Sequence, residues 1–249
     1  MSTRIDRFYI SDLQAAELSD QVSVHKIRNV LRKKTGDEIV LFDGKGSEFS
    51  ACLQDVTKRR VIFDKIRLLR RGKRSDPEMT LAFGLLKADH VDLIVQRCTE
   101  LGIDVFQPFI SDHTAVGKPR PEKFEHWRRV IAESTAQSRR LWMPELKAVV
   151  GYEDLCASFS EYDLVLTGDP YGVDDPGLLR GLQPRQEVVS IRRILLVIGP
   201  EGGLSATEVR SALDCGGRGV RISSFMLRAE TAAIHLSGLA AYYFDKGDA

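Results

Sequence analysis

The stretch LLVIGPEGGLSATE, Leu195 to Glu208, runs from an unbroken apolar segment through Ile198 into a turn of Gly199, Pro200, Glu201, Gly202 and Gly203, and then into a helix start. Gly202 and Gly203 carry no Cβ and tolerate positive φ, so backbone N–H and C=O groups there can approach a flat ligand closely. Pro200 stiffens the turn. Ser205 and Glu208 have capping-box spacing, which satisfies the first amides of the following helix without any ligand. A turn of this kind is also a common structural connection, so it gains meaning from two similar segments. TGDP, Thr167 to Pro170, follows the apolar run that ends at Leu166 and Thr167, with Gly168 at its turn; ISSFMLRAETA, Ile222 to Ala232, precedes the last apolar helix. In this last segment Arg228 stands at a helix start, where a cation meets the positive end of the helix dipole. Two explanations stay open. A guanidinium there can stabilise an anion that develops during a reaction without acting as a base, or it can pair with Glu201 or Glu230 and order the loops. Glu230 also suits the helix start as a simple cap.

Other chemistries find no support. GxxxxGK[ST] fails for lack of the lysine, and no GxGxxG follows a strand. The five histidines form no HExxH, the four cysteines form no Cys-x-x-Cys, and no metal site is expected. Cys52, Cys98, Cys156 and Cys215 are expected as buried, reduced thiols, and His235 as a packed residue of the last helix.

From Met79 onward, strands alternate with helices: MTLAFGLLK, the helical ADHVDLIVQRCTELG, IDVFQPFI, the helical PEKFEHWRRVIAESTAQSRR, LKAVV, YDLVLTGD, IRRILLVIGP, the helical LSATEVRSALDCG, GRGVRIS, and a helix from about Leu227 to Phe244. LVLTG and ILLVIG are apolar on both faces, as in a parallel sheet covered by helices. The fold class is therefore α/β. Ligands of such sheets sit at the carboxyl ends of the strands, and there the three segments would line one pocket.

The linker RRGKRSDP, Arg70 to Pro77, separates this region from a different one. Residues 1–74 hold 17 Lys and Arg against 10 Asp and Glu, a balance of +7, whereas the whole chain stands at +1. That asymmetry fits a small N-terminal part facing a polyanion, or a merely solvated basic face. RFYI, EIVLFDG, EFSACLQDVT and RVIFDKIRLL read as strands of a small β-barrel, with DGKG as a hairpin turn. VHKIRNVLRKKTGD reads as one helix ended by Gly36, with Val24, Ile27 and Leu31 inward and Arg28, Arg32 and Lys33 outward. No run is long enough to span a membrane, and MSTRIDRFYI lacks the apolar stretch of a signal peptide, so a cytoplasmic protein is expected.

IGPEGGLS with its following Glu, LRAETA before the C-terminal helix, QRCTELG at Gln96 to Gly102 and the N-terminal VLR and GDEIVLFDGKG together resemble the RsmE family of 16S ribosomal RNA uridine-N3 methyltransferases. The resemblance covers nearly the whole chain in the family's order. It implies a PUA-like, RNA-binding β-barrel over residues 1–74 and an α/β methyltransferase domain of the SPOUT class over 75–249, with a deep trefoil knot. It implies a homodimer that acts on 16S rRNA of the small ribosomal subunit, with no metal and no membrane. S-adenosylmethionine would be held in a bent form by Leu166, Thr167 and Gly168, by Ile198, Gly199, Pro200, Glu201, Gly202 and Gly203, and by Ile222, Ser223, Met226, Leu227 and Arg228. Arg228 would be catalytic, and Arg7, Arg28, Arg32, Lys33, Gln137 and Arg140, with Glu133, would face RNA or the second subunit. The sequence departs from the family pattern at Ala136, Ser223 and Phe225, which bears on the RNA face and on the width of the cofactor loop. Rival readings are a SPOUT-class enzyme modifying another RNA nucleotide, a non-catalytic RNA-binding relative and a nucleotide hydrolase, the last lacking its phosphate-cradling lysine.

Overall fold

The computed structural model describes residues 6–74, 76–169 and 191–244. Pro170 of TGDP and Ser75 of the linker lie outside the described residues. The chain divides into two compact units, Met1–Arg74 with Ala132–Met143, and Ser75–Ile131 with Pro144–Ala249.

In the first unit, β1 (Arg7–Tyr9), β2 (Glu17–Leu18), β3 (Glu38–Phe42), β4 (Ser47–Val56) and β5 (Val61–Arg71) form one sheet in the order β1-β3-β4-β5-β2. Alternating apolar residues of these strands bury Phe8, Ile39, Leu41, Leu53 and Phe63 in one core with Ile27. The DGKG hairpin is held by Asp43, whose Oδ1 accepts the backbone N–H groups of Lys45 and Ser47 at 2.7 and 2.9 Å. The sequence predicts a small β-barrel. Among the described residues β1 and β2 remain the two edges, so the sheet is an open half-barrel. β2 is only two residues long, and the β4–β5 pairing shifts register at three places, each of which bends the sheet.

The basic helix also differs from expectation. Asp20 caps α1 (Gln21–His25) by accepting from the Ser23 N–H at 2.8 Å, and the helix continues as a wider π stretch over Lys26–Val30. It ends at Arg32 rather than Gly36, because Arg32 adopts φ +53°. The Lys33 N–H then reaches back to the Ile27 carbonyl at 3.0 Å, the bond that closes a left-handed helix end. Val24 and Ile27 point inward as predicted, Leu31 is half-buried and Arg28 is exposed.

In the second unit β6 (Glu78–Gly84), β7 (Val105–Ile110), β8 (Glu145–Leu146), β10 (Leu164–Gly168), β11 (Arg193–Ile198) and β12 (Arg218–Val220) order as β12-β10-β11-β6-β7-β8, with β9 (Val150–Gly151) on β7. All pairings are parallel. The helices are α2 (Ala88–Glu100), α3 (Pro121–Gln137) as far as Ile131, α4 (Tyr152–Ala157), α5 (Ala206–Asp214) and α6 (Ala229–Tyr243); the last turns of α3 belong to the first unit. Ile194 to Ile198 are buried without alternation, as a strand covered on both faces requires. LKAVV is split into β8 and β9, and the six-residue α4 was too short to carry a periodic signal.

Asp92 on α2 fastens α3 to it: Lys123 Nζ, His126 Nε2 and the Trp127 indole N–H approach its carboxylate at 3.0, 2.9 and 2.9 Å. Burial opposes ionisation of Asp92, but the bonds from Lys123 and His126 outweigh it and hold the carboxyl below its usual range. The expectation of four buried thiols is corrected. Cys98 and Cys156 are buried, and burial pushes their thiols up to about 12 and about 11, but Cys52 is half-buried and Cys215 exposed. His235 is exposed on α6 rather than packed.

Candidate functional site

The order β12-β10-β11 puts three neighbouring strand ends side by side, and they lead into the three segments singled out above, two of which carry glycine. After β11, Ile198, Gly199 and Pro200 are buried, and the Gly203 N–H closes the turn on the Pro200 carbonyl at 2.8 Å. A Cβ on Gly199 would lie 3.0 Å from the Gly203 carbonyl carbon and 3.0 Å from the Leu204 nitrogen, so the turn folds back on a residue without a side chain. Gly203 takes φ +70°, whereas Gly202 does not lie in the left-handed region. Gly202 is constrained by a neighbour instead: its Cβ would stand 2.8 Å from His113 Cβ, and its carbonyl lies 3.0 Å from His113 Nδ1.

The helix after this turn is capped as the spacing predicts. Ser205 Oγ accepts from the Glu208 N–H at 3.2 Å and the Glu208 carboxylate accepts from the Ser205 N–H at 2.8 Å. Its other oxygen takes the Asp112 N–H at 2.9 Å, so the cap also ties the segment after β7 to α5.

At the end of β10, Leu166 and Thr167 are buried and Gly168 is half-buried. Thr167 Oγ1 is a buried hydroxyl oxygen with no hydrogen-bond partner among the described residues. Buried polar atoms are nearly always paired, and this open one lies near the carboxyl end of its strand, the end of parallel sheets at which ligands bind. The Asp169 N–H bonds the Val220 carbonyl at 3.1 Å, joining this end to that of β12.

After β12, Arg221 donates to the carbonyls of Ser223 and Ser224 at 3.2 and 3.3 Å, and the Phe225 N–H bonds Ser223 Oγ at 3.0 Å. The loop so shaped leaves Ile222, Ser223 and Leu227 half-buried and turns Phe225 and Met226 to solvent, 82% and 68% exposed. Arg228 is the extended N-cap residue of α6 and is exposed. Among the described residues its guanidinium makes no hydrogen bond or ion pair, so the pairing with Glu201 or Glu230 is not formed. Those two carboxylates face His90 instead, at 3.5 and 3.7 Å. Motif reasoning passed over His90. Its position in the first turn of the helix that follows β6, beside β11 at the same sheet edge, was the signal available.

The expected RNA-facing residues divide. Arg28, Arg32 and Gln137 are exposed, as is Glu133; Lys33 is half-buried with Nζ 3.3 Å from the Glu38 carbonyl; Arg140 and Ala136 are half-buried. Arg7 must be corrected. Its side chain is 6% exposed, paired through Nε with Glu48, and it donates to the carbonyls of Thr135, Ala136 and Arg140 at 3.1, 3.1 and 3.0 Å. Burial lowers its pKa while Glu48 works in the opposite direction. The last carbonyls of a helix need donors, and Arg7 supplies them to α3 in place of meeting phosphate. No cluster of metal-ligating side chains occurs among the described residues.

A parallel α/β unit with three adjacent strand ends leading into these loops, in one chain with a basic half-barrel, has the build of an RNA-modifying transferase. The chain belongs to the RNA methyltransferase domain family, whose model matches residues 73–241, and residues 25–66 match the RNA methyltransferase PUA domain. Among its relatives, ribosomal RNA small subunit methyltransferase E of Bacillus subtilis is 28% identical over 88% of this chain and 87% of its own. That of Rickettsia conorii is 29% identical over 93% of each. The crystal structure of ribosomal RNA small subunit methyltransferase E from Neisseria gonorrhoeae bound to S-adenosyl methionine is 25% identical, with a TM-score of 0.80 over 96% of this chain and 98% of that one. A putative methyltransferase from Legionella pneumophila in complex with the same cofactor is 26% identical, with a TM-score of 0.83 over 96% and 98%.

Proposed function

We propose that this RNA methyltransferase transfers the methyl group of S-adenosylmethionine to N3 of a specific uridine in 16S rRNA of the small ribosomal subunit. The observation that carries the reading is the adjacency of the three loops at one sheet edge. The residues fit the cofactor there: Thr167 offers a buried oxygen without a partner among the described residues, and at Gly203 the position of a side chain is open space. Leu166 to Gly168, Ile198 to Gly203, and Ile222, Ser223, Met226, Leu227 and the backbone of Arg228 would hold it. When bound, the cofactor supplies an activated methyl group.

What remains for the protein is alignment and exclusion of water. Uridine N3 carries a proton at neutral pH, and losing it places negative charge on O2 and O4. Arg228, a cation without a partner among the described residues at the start of α6, stabilises that charge as it forms. Arg28, Arg32 and Lys33 supply phosphate contacts, and Gln137 and Arg140 contribute to the RNA or dimer face. The reading includes the trefoil knot, the homodimer, a cytoplasmic site of action, and a division of labour between RNA-binding residues 1–74 and a methyltransferase domain over 75–249.

The test is mass spectrometry of ribosomal RNA nucleosides from cells with and without the gene. Loss of 3-methyluridine from 16S rRNA, restored by methyl transfer to isolated small subunits with purified protein, is the expected result. Loss of a different methylated nucleoside would move the reading to another target, and failure to bind S-adenosylmethionine in a calorimeter would reduce the chain to an RNA-binding relative.

A further inference from the structure

Glu201 lies in the turn after β11, and Glu230 lies in the first turn of α6. Both carboxylates reach the same atom. Nδ1 of His90, in the first turn of α2, stands 3.5 Å from Glu201 Oε1 and 3.7 Å from Glu230 Oε2. The Glu230 side chain is only 9% exposed, and its Oε2 and the His90 Nδ1 are buried atoms without a hydrogen-bond partner among the described residues. Glu201 Oε1 is anchored separately, by the Lys87 backbone N–H at 3.2 Å. The other charged groups nearby in sequence, Lys87 and Asp89 on α2 and Arg228 at the start of α6, are exposed.

At these separations neither contact is a hydrogen bond. The ring nitrogen thus stands between two acids, one of them buried where attraction to a positive charge is little screened. One acid lies in a loop assigned to the cofactor, the other in the helix turn that directly follows a second such loop, and the ring belongs to neither.

We infer that His90 is a positioning residue for cofactor binding: standing between Glu201 and Glu230, it holds the turn after β11 against the start of α6. The inference rests on the assignment of those loops to S-adenosylmethionine. It requires charge at position 90 rather than the geometry of an imidazole, and so it separates a lysine from an uncharged isostere.

Calorimetric titration of the full-length protein with S-adenosylmethionine tests it, beside kcat for methyl transfer to small ribosomal subunits at saturating cofactor. His90→Gln should raise the Kd about tenfold, equivalent to about 1.4 kcal/mol, with kcat within about twofold of the unsubstituted protein. His90→Lys should restore the affinity, which a purely structural imidazole would not allow. With Glu230→Gln already in place, the further effect of His90→Gln should shrink, as coupled groups are non-additive. Thermal unfolding checks that each variant is folded; if His90→Gln is not, the Lys variant's affinity decides, and a Kd raised tenfold there overturns the inference. Equal loss in the Gln and Lys variants, additivity with Glu230→Gln, or an unchanged Kd in His90→Gln would also overturn it. Gly202→Val serves as the separate control: if that variant binds cofactor normally while folded, the loop assignment falls and this inference with it, whereas loss of binding there with His90 variants unchanged removes this inference alone.

Discussion

Replacing Gly203 with alanine isolates one quantity, the cost of the turn's backbone conformation. Gly203 holds φ +70°, and a Cβ built on it meets nothing within 4 Å. The substitution therefore adds no clash with protein atoms, only the strain of a side chain in the left-handed region, about 1–2 kcal/mol. The variant can respond in two ways. If it keeps the turn, the strain appears as lost stability, a fall in Tm of roughly 2–8 °C for a chain of this size, and cofactor affinity is unchanged. If the turn relaxes, stability recovers and the binding shape must be restored on binding, so the Kd for S-adenosylmethionine rises by a factor of roughly 5 to 30, the same energy converted. Differential scanning calorimetry and titration calorimetry on one preparation should find the two losses summing to the strain. Neither loss, in a folded variant, would refute the assigned backbone conformation. A loss of affinity beyond about a hundredfold would refute the reasoning differently, since strain alone does not reach it and the methyl group would have to be striking the ligand.

Arg228→Ala should leave cofactor affinity within about threefold and reduce single-turnover methyl transfer roughly a hundredfold or more, as removal of one oxyanion donor does; loss of cofactor binding as well would place the guanidinium in the binding site rather than at the reacting base. The Arg28→Ala, Arg32→Ala double variant should weaken binding of small-subunit RNA and lower the slope of log K against log salt by about 2, measured by filter binding across a salt series. An unchanged slope would remove both from the interface. For Asp92, whose folded pKa is lowered, the stability it adds is present above the ordinary carboxylate range and is lost as pH falls through the lowered value. Asp92→Asn should thus cost about 1–3 kcal/mol in urea unfolding at pH 7, and the difference from the unsubstituted protein should narrow below about pH 4; a constant difference down to pH 3 would contradict the ion-paired state.

The elements that packing dictates were legible in the sequence. Uninterrupted apolar runs such as Ile194 to Ile198 read as buried parallel strands, and Ser205 with Glu208 read as a capping box, because both signals are local. Short pieces such as β2 and α4 were not legible, since two or six residues carry no period. Arg32 was not either: a glycine four residues later offered the obvious helix stop, and the chain used an arginine in the left-handed position instead. At the site, local composition marked the three loops, but the partners of Glu201 and Glu230 are set by how α2 is placed after β6, so sequence offered Arg228 where the structure has His90. Arg7 misled for a related reason, because charge counting treats every arginine as a surface group until a buried acid such as Glu48 is seen beside it.

Arg7 also bears on how the chain comes into being. Its guanidinium fastens β1 to carbonyls at the end of α3, and residues 132–143 belong to the same unit as residues 1–74. On the ribosome, where domains tend to fold in order of emergence, the N-terminal unit cannot reach its finished form once its own strands are out. It must wait, with the Arg7 guanidinium short of its three carbonyl acceptors, until more than half the polypeptide has been translated, while β6, α2 and β7 of the other unit are already free to assemble. A gene fragment ending at codon 74 would therefore encode a half-barrel missing part of itself, and one beginning at codon 75 would carry a stretch of helix whose donors had been left behind.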